Sequence, residues 1–551
     1  MKRIRSTLAF LIFASLWGSP EDSLVPAGGF EGLGADLSPW KKDVGDVDAV
    51  FTLDSAVKLG GSAAVKAVVT RNDKVSWPNL FVKLSNLEAG QCFQGEAWIR
   101  TENARGGGGA YLAVDFLDEK GARLSFASSS MVSSTSDWRQ VFLKAAAPSG
   151  AKSMLVKLIL HGQGTAWFDD VKLSRDPKAE QAIRDLEKPL PADWLQRAFV
   201  SDGNLALLRR AFEKAGRGGA FTVGILGGSI TQGASASGKD KHYSAYLTQW
   251  WKRNFPGAQV ALVNAGIGAT GSDYGAMRMA RDLLSKNPDV IIVEYAVNDG
   301  NTQDKAESYE GVLRQILALP SKPGLLLLFM MNSIGSNAQE WQAKLGKHYG
   351  LPMVSYRDLL WPEVEAKRIA WRDLSPDTVH PNDIGHAYAG KLVCAMLDRA
   401  RANGSASSER PLPAPLLTDA FQFCSLAEAD SLTPLSNDGW AFDGAQAGLK
   451  CWKSAKPGSV IQFETTGEKV FFTYYRVRGP MGKAKVSVDG GDPVVCDAWF
   501  DQTWGGYRQM IRLVDGKPGK HLVRVELLAE KQALSAGNEF RILCLGAAGV
   551  R

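Results

Sequence analysis

A chain of 551 residues exceeds what one hydrophobic core ordinarily organises and predicts roughly three or four domains. Its composition, 45% hydrophobic and 22% charged, excludes a disordered chain. The net charge of +6 is spread thinly, with no long Lys/Arg run, which argues against a nucleic-acid partner.

The chain opens on Met1-Lys-Arg-Ile-Arg5, followed by the mostly apolar stretch Ser6 to Trp17. A basic start and about a dozen apolar residues predict a secretory signal peptide over residues 1–20, too short to span a bilayer. No small-x-small triplet sits squarely after Trp17, and no Cys follows to carry a lipid anchor. No later segment is long and apolar enough for a membrane span, so the mature chain is expected to be secreted or periplasmic.

Residues 25–175 are rich in short alternating segments such as Ala63–Val69, Cys92–Ile99 and Ser153–Leu160, punctuated by Gly, Asn and Ser. That pattern predicts a β-sandwich. The phrases Gly29-Phe-Glu-Gly32, Asp137-Trp-Arg-Gln140 and Trp167-Phe-Asp-Asp-Val-Lys-Leu173, in that order, resemble jelly-roll carbohydrate-binding modules. Residues 176–200 are charged and helix-prone, with Pro189 and Pro191 as breaks, and read as a linker with a helix.

Over residues 201–403 the period changes. Apolar strands (Phe221–Leu226, Val260–Val263, Val290–Tyr295, Gly324–Met330, Met353–Ser355) alternate with helical stretches (Tyr243–Phe255, Tyr274–Lys286, Ser308–Leu319, Ala338–Tyr349, Ile384–Ala402). Strand–helix alternation predicts βαβ units and a doubly wound parallel sheet. A Gly/Ser/Pro-rich linker over 404–415 ends this domain, and short strands return over 416–551 in a second predicted sandwich. Val488-Asp-Gly490 and Pro518–Leu522 read as its hairpin corners. The expected architecture is therefore multidomain: an α/β core flanked by two β-sandwich (jelly-roll) domains. Four of the six cysteines (Cys424, Cys451, Cys496, Cys544) fall in the tail, where disulfides and buried free thiols remain equally open; their spacing lacks a zinc signature.

The chemistry concentrates in two segments. In Ile225-Leu-Gly-Gly-Ser229-Ile-Thr-Gln-Gly233 an apolar strand breaks at two glycines and presents a serine at its carboxyl end, where active sites of open α/β sheets lie. In Asp377-Thr-Val-His380-Pro, Asp and His three residues apart supply a base and the carboxylate that orients it. Between them stand Asn264-Ala-Gly-Ile-Gly-Ala-Thr-Gly271 and Val297-Asn298-Asp299, each after a strand.

In this order the blocks resemble the SGNH (GDSL-type) hydrolase superfamily over roughly 200 residues, in a variant with Gly228 where many members have Asp. The resemblance implies Ser229 as nucleophile, His380 as base and Asp377 as its orienting acid. It implies an oxyanion hole from the Ser229 and Ala269 N–H groups, with Gly268 as the alternative register, and the Asn298 amide. No metal or cofactor is required. The tail resembles accessory jelly rolls of carbohydrate esterases.

Other polar residues read as structural. His386 lies at a helix start, His242 in a solvated loop, Asp299 as a loop brace and Arg278 as an ion-pair partner. Trp499, Trp504, Tyr507 and Trp440 in the tail, and Trp40, Trp77 and Trp138 at the front, are candidates for stacking on sugars, although Trp more often fills a core. Two accessory domains suit an extended substrate. The expected function is a secreted serine esterase that removes O-acetyl groups from a polysaccharide. A lipid or aryl esterase, an acetyltransferase of the same chemistry and a non-catalytic glycan-binding protein are the alternatives. Sequence leaves the polymer, the acylated hydroxyl and the oligomeric state open.

Overall fold

The computed structural model describes residues 23–71, 76–403, 408–444, 449–501 and 505–550. The predicted signal peptide, residues 404–407 of the second predicted linker, and Trp504 lie outside these residues.

The centre of the molecule is a six-stranded sheet. Its strands run in the order Ala258–Gly266, Gly219–Gly227, Val290–Glu294, Gly324–Phe329, Met353–Ser355 and Phe199–Ser201. The first five are parallel and the last joins antiparallel. Val290–Glu294 and Gly324–Phe329 are buried at every residue, as strands covered on both faces must be. Side-chain alternation sorts the sheet into two cores. Phe221, Val223 and Ile225 pack with Trp250, Trp251 and Leu392 on one face, while Leu226, Ile291 and Val293 pack with Met279, Tyr309 and Leu313 on the other. The strand ending at Gly227 is flanked on both sides by strands that come later in the chain. Winding therefore reverses beside it, and such a reversal opens a crevice at the carboxyl ends.

The flanking regions are sheet-rich. An eight-stranded sheet lies in residues 41–175 and a nine-stranded sheet in residues 424–548. Segments that read as separate short strands are joined. Cys92–Leu117 is one strand that pairs with Ser153–Arg175, and register shifts around Arg105 to Gly109 let it bend. Val460–Arg476 likewise pairs with Tyr507–Leu527 along almost its whole length. Pro518–Leu522 is thus not a hairpin corner. It lies within a strand at a register shift between Gly467 and Lys469, where a proline's missing N–H is tolerated. Val488–Gly490 does form a corner, with Asp489 and Gly490 both at positive φ between paired strands.

The tail is fastened to the central unit by buried contacts. Glu310, fully buried on helix Gln303–Leu317, accepts the N–H groups of Leu416, Leu417 and Thr418 at 2.5, 2.9 and 2.9 Å. Phe421 lies so close to Gly311 that any Cβ there would overlap it, and Met277 stands in the same relation to Gly546. The front is held differently. Lys144 bridges Asp176 (2.9 Å) and Asp373 (2.5 Å), and Asp373 belongs to the short helix Trp371–Leu374. All six cysteines are unpaired, so of the two readings of the tail cysteines the structure takes the free thiols. Among the described residues no helix is long and apolar enough to cross a membrane.

Candidate active site

Strand Gly219–Gly227 ends two residues before Ser229, which opens the one-turn helix Ser229–Gln232, closed by Gly233 at φ +109°. A left-handed residue here favours glycine and lets the chain leave after a single turn. Gly228 has a separate reason to lack a side chain, because a Cβ there would overlap the Asn298 amide. An Asp at 228, as in the Gly-Asp-Ser pattern, would meet the Asn298 amide where it now stands. Asn298 follows the central strand Val290–Glu294 and sits directly against the nucleophile turn.

The two distant segments meet. His380 Nε2 lies 2.8 Å from Ser229 Oγ, and His380 Nδ1 lies 2.7 Å from Asp377 Oδ2. A carboxylate accepts only, so Nδ1–H donates to Asp377 and Nε2 is left to accept the serine proton. Asp377 Oδ1 also accepts the N–H groups of Val379 and His380, both at 2.7 Å. Partial desolvation works against the carboxylate's charge, but the His380 ring and these amides outweigh it and hold Asp377 below its usual range. The loop is shaped from behind. The buried Ser375 hydroxyl shares its one proton between the carbonyls of Asp377 (2.8 Å) and His380 (2.6 Å), and Trp371 Nε1 donates to the Asp377 carbonyl at 2.6 Å. Asn382 then caps helix Asp383–Ala402.

The second block lies beside the serine. A Cβ at Gly268 would come within 3.7 Å of Ser229 Cβ. Gly268 N–H is engaged by Gln232 Oε1 at 2.9 Å, whereas Ala269 takes the left-handed conformation at φ +56°. Asn264 Nδ2 ties the same loop to the Thr231 carbonyl at 2.7 Å. The tail sheet closes in on this side, where Ile267, like Tyr475 and Met510 of the tail, packs against the buried cluster of Tyr274, Cys451, Leu543 and Cys544.

A buried polar layer under the helix was not foreseen from sequence. Thr231 Oγ1 lies 3.0 Å from both Glu294 Oε2 and Tyr243 Oη. Burial pushes the Glu294 carboxyl up to about 8, so it carries a proton at neutral pH. The only hint in sequence was a Glu ending an otherwise apolar strand.

His242 is not in a solvated loop. It is buried, caps helix Tyr243–Asn254, and places Nε2 3.0 Å from the Ile230 carbonyl. The apolar residues that follow it pull it into the core. His386 packs on it at 4.7 Å between ring centroids and reaches the Ala234 carbonyl at 3.2 Å. Burial, reinforced by His242, lowers His386 to about 3 and keeps it neutral. Asp299 braces its loop through Ser272 N (2.9 Å) and Gln342 Nε2 (3.1 Å). Arg278 pairs with Asp282 at 3.1 Å and also donates to the carbonyls of Ala265 (2.7 Å) and Gly227 (3.3 Å), bracing the end of the strand that leads to Ser229. Among the described residues no group of His, Cys, Asp and Glu is arranged to hold a metal ion. Of the stacking candidates, Trp40 and Trp440 are buried core residues and Trp77 is exposed.

Comparison with known proteins places this arrangement. The sequence model of the GDSL-like Lipase/Acylhydrolase family matches residues 225–388. Two crystal structures of a two-domain esterase (CEX) active on acetylated mannans, one co-crystallized with mannopentaose, are 32% and 31% identical to this chain. They cover 65% of this chain and 98% and 99% of their own, with TM-scores of 0.61 and 0.62. The Escherichia coli (strain K12) protein named thioesterase 1/protease 1/lysophospholipase L1 is 28% identical over 171 residues, 30% of this chain and 76% of its own. The protein is a carboxylic ester hydrolase. It belongs to the GDSL-like lipase/acylhydrolase family, the SGNH hydrolases.

Proposed function

We propose that this chain is a secreted esterase that removes acetyl groups from a polysaccharide through a Ser229–His380–Asp377 acyl-enzyme. The continuous hydrogen-bonded line from Ser229 Oγ through His380 to Asp377 carries the reading. His380 takes the serine proton as Oγ attacks the ester carbonyl, then returns it to the departing sugar hydroxyl; Asp377 stabilises the imidazolium. The Ser229 and Ala269 N–H groups and the Asn298 amide receive the oxyanion. The bond from Gly268 N–H to Gln232 Oε1 supports Ala269 over Gly268, the alternative register, in that role. Water on the same base then frees acetate. The polymer is inferred from the esterase active on acetylated mannans, which leaves almost none of its own length unmatched. Export is inferred from the basic and apolar leader at residues 1–17, and the sheet-rich flanks are read as jelly-roll sandwiches.

The test is acetate release from acetylated mannan, xylan and pectin by the wild type and by Ser229→Ala. The wild type is expected to release acetate, and the variant to lose roughly 10⁵- to 10⁶-fold in kcat. Residual release within tenfold of wild type would remove Ser229 from the chemistry. Faster turnover of long-chain than of acetyl p-nitrophenyl esters would favour the lipid-directed reading that the similarity to the lysophospholipase raises.

A further inference from the structure

Between the front sheet and the central unit lies a cavity of about 460 Å³, within the range of ligand sites. One wall is formed by the outward face of the front sheet. Gln94 stands opposite Lys144 and Ser174, and Glu96 opposite Phe142 and Lys172, while Phe93, Gly95, Leu143 and Leu173 between them turn into the core. Two rings on this side are open to solvent, Phe126 at 60% and Phe142 at 42% exposure. The opposite wall comes from the two loops that carry the triad. Ser375 and Pro376 immediately precede Asp377, Asn382 and Asp383 follow His380, and Ser235–Ser237 follow the nucleophile helix. Ser237 joins the loops, its N–H and Oγ both donating to the Asp383 carboxylate at 2.8 and 2.6 Å.

The chemistry of the walls selects a class of ligand. Charges on them stand beside partners: Lys144 pairs with Asp176 and Asp373, Lys172 with Asp170 and Glu96, Asp383 accepts from Ser237, and Arg372 acts on Glu96. Amide and hydroxyl groups remain beside exposed rings, among them Gln94 and Ser174, themselves 3.3 Å apart. Rings with neighbouring neutral hydrogen-bonding groups suit a sugar, whose faces are apolar and whose rim is hydroxyl, and offer no surplus charge to a uronate. We infer that this cleft binds a stretch of neutral polysaccharide, with Phe126 and Phe142 as stacking platforms and the triad loops as its far wall. This assignment rests on the polysaccharide-esterase reading and adds to it a subsite shared between the front sheet and the catalytic loops.

Binding is measured without turnover, by calorimetry with unacetylated mannopentaose, xylopentaose and oligogalacturonate. The wild-type chain is compared with the Phe126→Ala/Phe142→Ala double variant and with Gln94→Trp, which fills the cleft from the sheet side. The wild type is expected to bind a neutral pentasaccharide in preference to oligogalacturonate. Both variants are expected to weaken that binding about tenfold or more while keeping the wild-type melting temperature. If the double variant melts early, Gln94→Trp decides alone, and if both melt early, protection of Phe142 against hydrogen exchange by the pentasaccharide in wild type decides. Absence of neutral-sugar binding, preference for oligogalacturonate, or unchanged affinity in a folded variant overturns the subsite. Acetate release with Ser229→Ala decides the esterase reading separately.

Discussion

The two halves of the proposed triad are held in opposite ways. Ser229 rides on a turn wedged into the sheet, with Asn298 against Gly228, the Thr231–Glu294–Tyr243 layer beneath and two neutral histidines behind. Asp377 and His380 stand on a surface loop, the Asp377 side chain 46% exposed, shaped mainly by Ser375, Trp371 and their own amides. The proposed nucleophile is fixed by packing, and the proposed proton-transfer pair is fixed by hydrogen bonds. Packing tolerates no added volume, whereas a hydrogen-bonded loop tolerates volume but not a changed donor or acceptor.

Three substitutions test that contrast, in falling order of effect. Asp377→Asn keeps the shape of the loop but reverses the hydrogen bond that sets the His380 tautomer. We expect kcat to fall roughly 10⁴-fold with melting temperature little changed. A loss of only a few fold would show that loop packing, not the carboxylate, orients the ring. On the packed side, Gly228→Asp restores the common family residue yet collides with Asn298. Displacing that amide is expected to cost about 10² to 10³ in kcat, with KM less affected. Activity equal to wild type would mean that the turn relaxes more freely than its packing indicates.

The smallest effect concerns the layer under the nucleophile and is read as stability. Glu294 keeps a proton in the fold up to about pH 8, while the unfolded chain releases it near the ordinary value of 4.5. Its contribution is therefore fully present below about 4.5 and is lost as pH rises toward 8, at about 1.4 kcal/mol per pH unit. Glu294→Gln does not titrate. Its melting temperature should gain on that of wild type as the pH is raised from 5 to 8, and parallel curves would show that Glu294 is ionised in the fold.

Much of this site was legible in the chain. Apolar runs such as Ile291–Val293 and Leu325–Leu328 announce strands covered on both sides, and the polar signals Ser229, Asn298 and Asp377-x-x-His380 follow them in order. What escaped depends on contacts between distant segments. That Gly228 is small because of Asn298 is a fact about two loops 70 positions apart, and no local pattern encodes it. His242 read as solvated because Lys239-Asp-Lys241 precede it, but the helix it caps points it inward. The edge strand Phe199–Ser201 is three residues long, too short for alternation to show. In the flanks, register shifts let Cys92–Leu117 run on as one strand beyond the short segment read at Cys92–Ile99, and hid the continuity of Tyr507–Leu527 behind Pro518–Leu522, which read as a corner.

The carboxylate of Glu310 bears on how this enzyme can be taken apart. Three of its four hydrogen-bond donors lie at 416–418, just beyond the Pro-rich stretch where a boundary would be drawn by eye; the fourth is Tyr349 Oη at 2.6 Å. A fragment cut at residue 403 would keep Ser229, Asp377 and His380 and yet remove three of the four hydrogen-bond donors to Glu310 and leave open the groove that Phe421 fills. The tail is thus a part of the catalytic body that happens to be written last, and swapping it between relatives means carrying the 413–421 strap along with it.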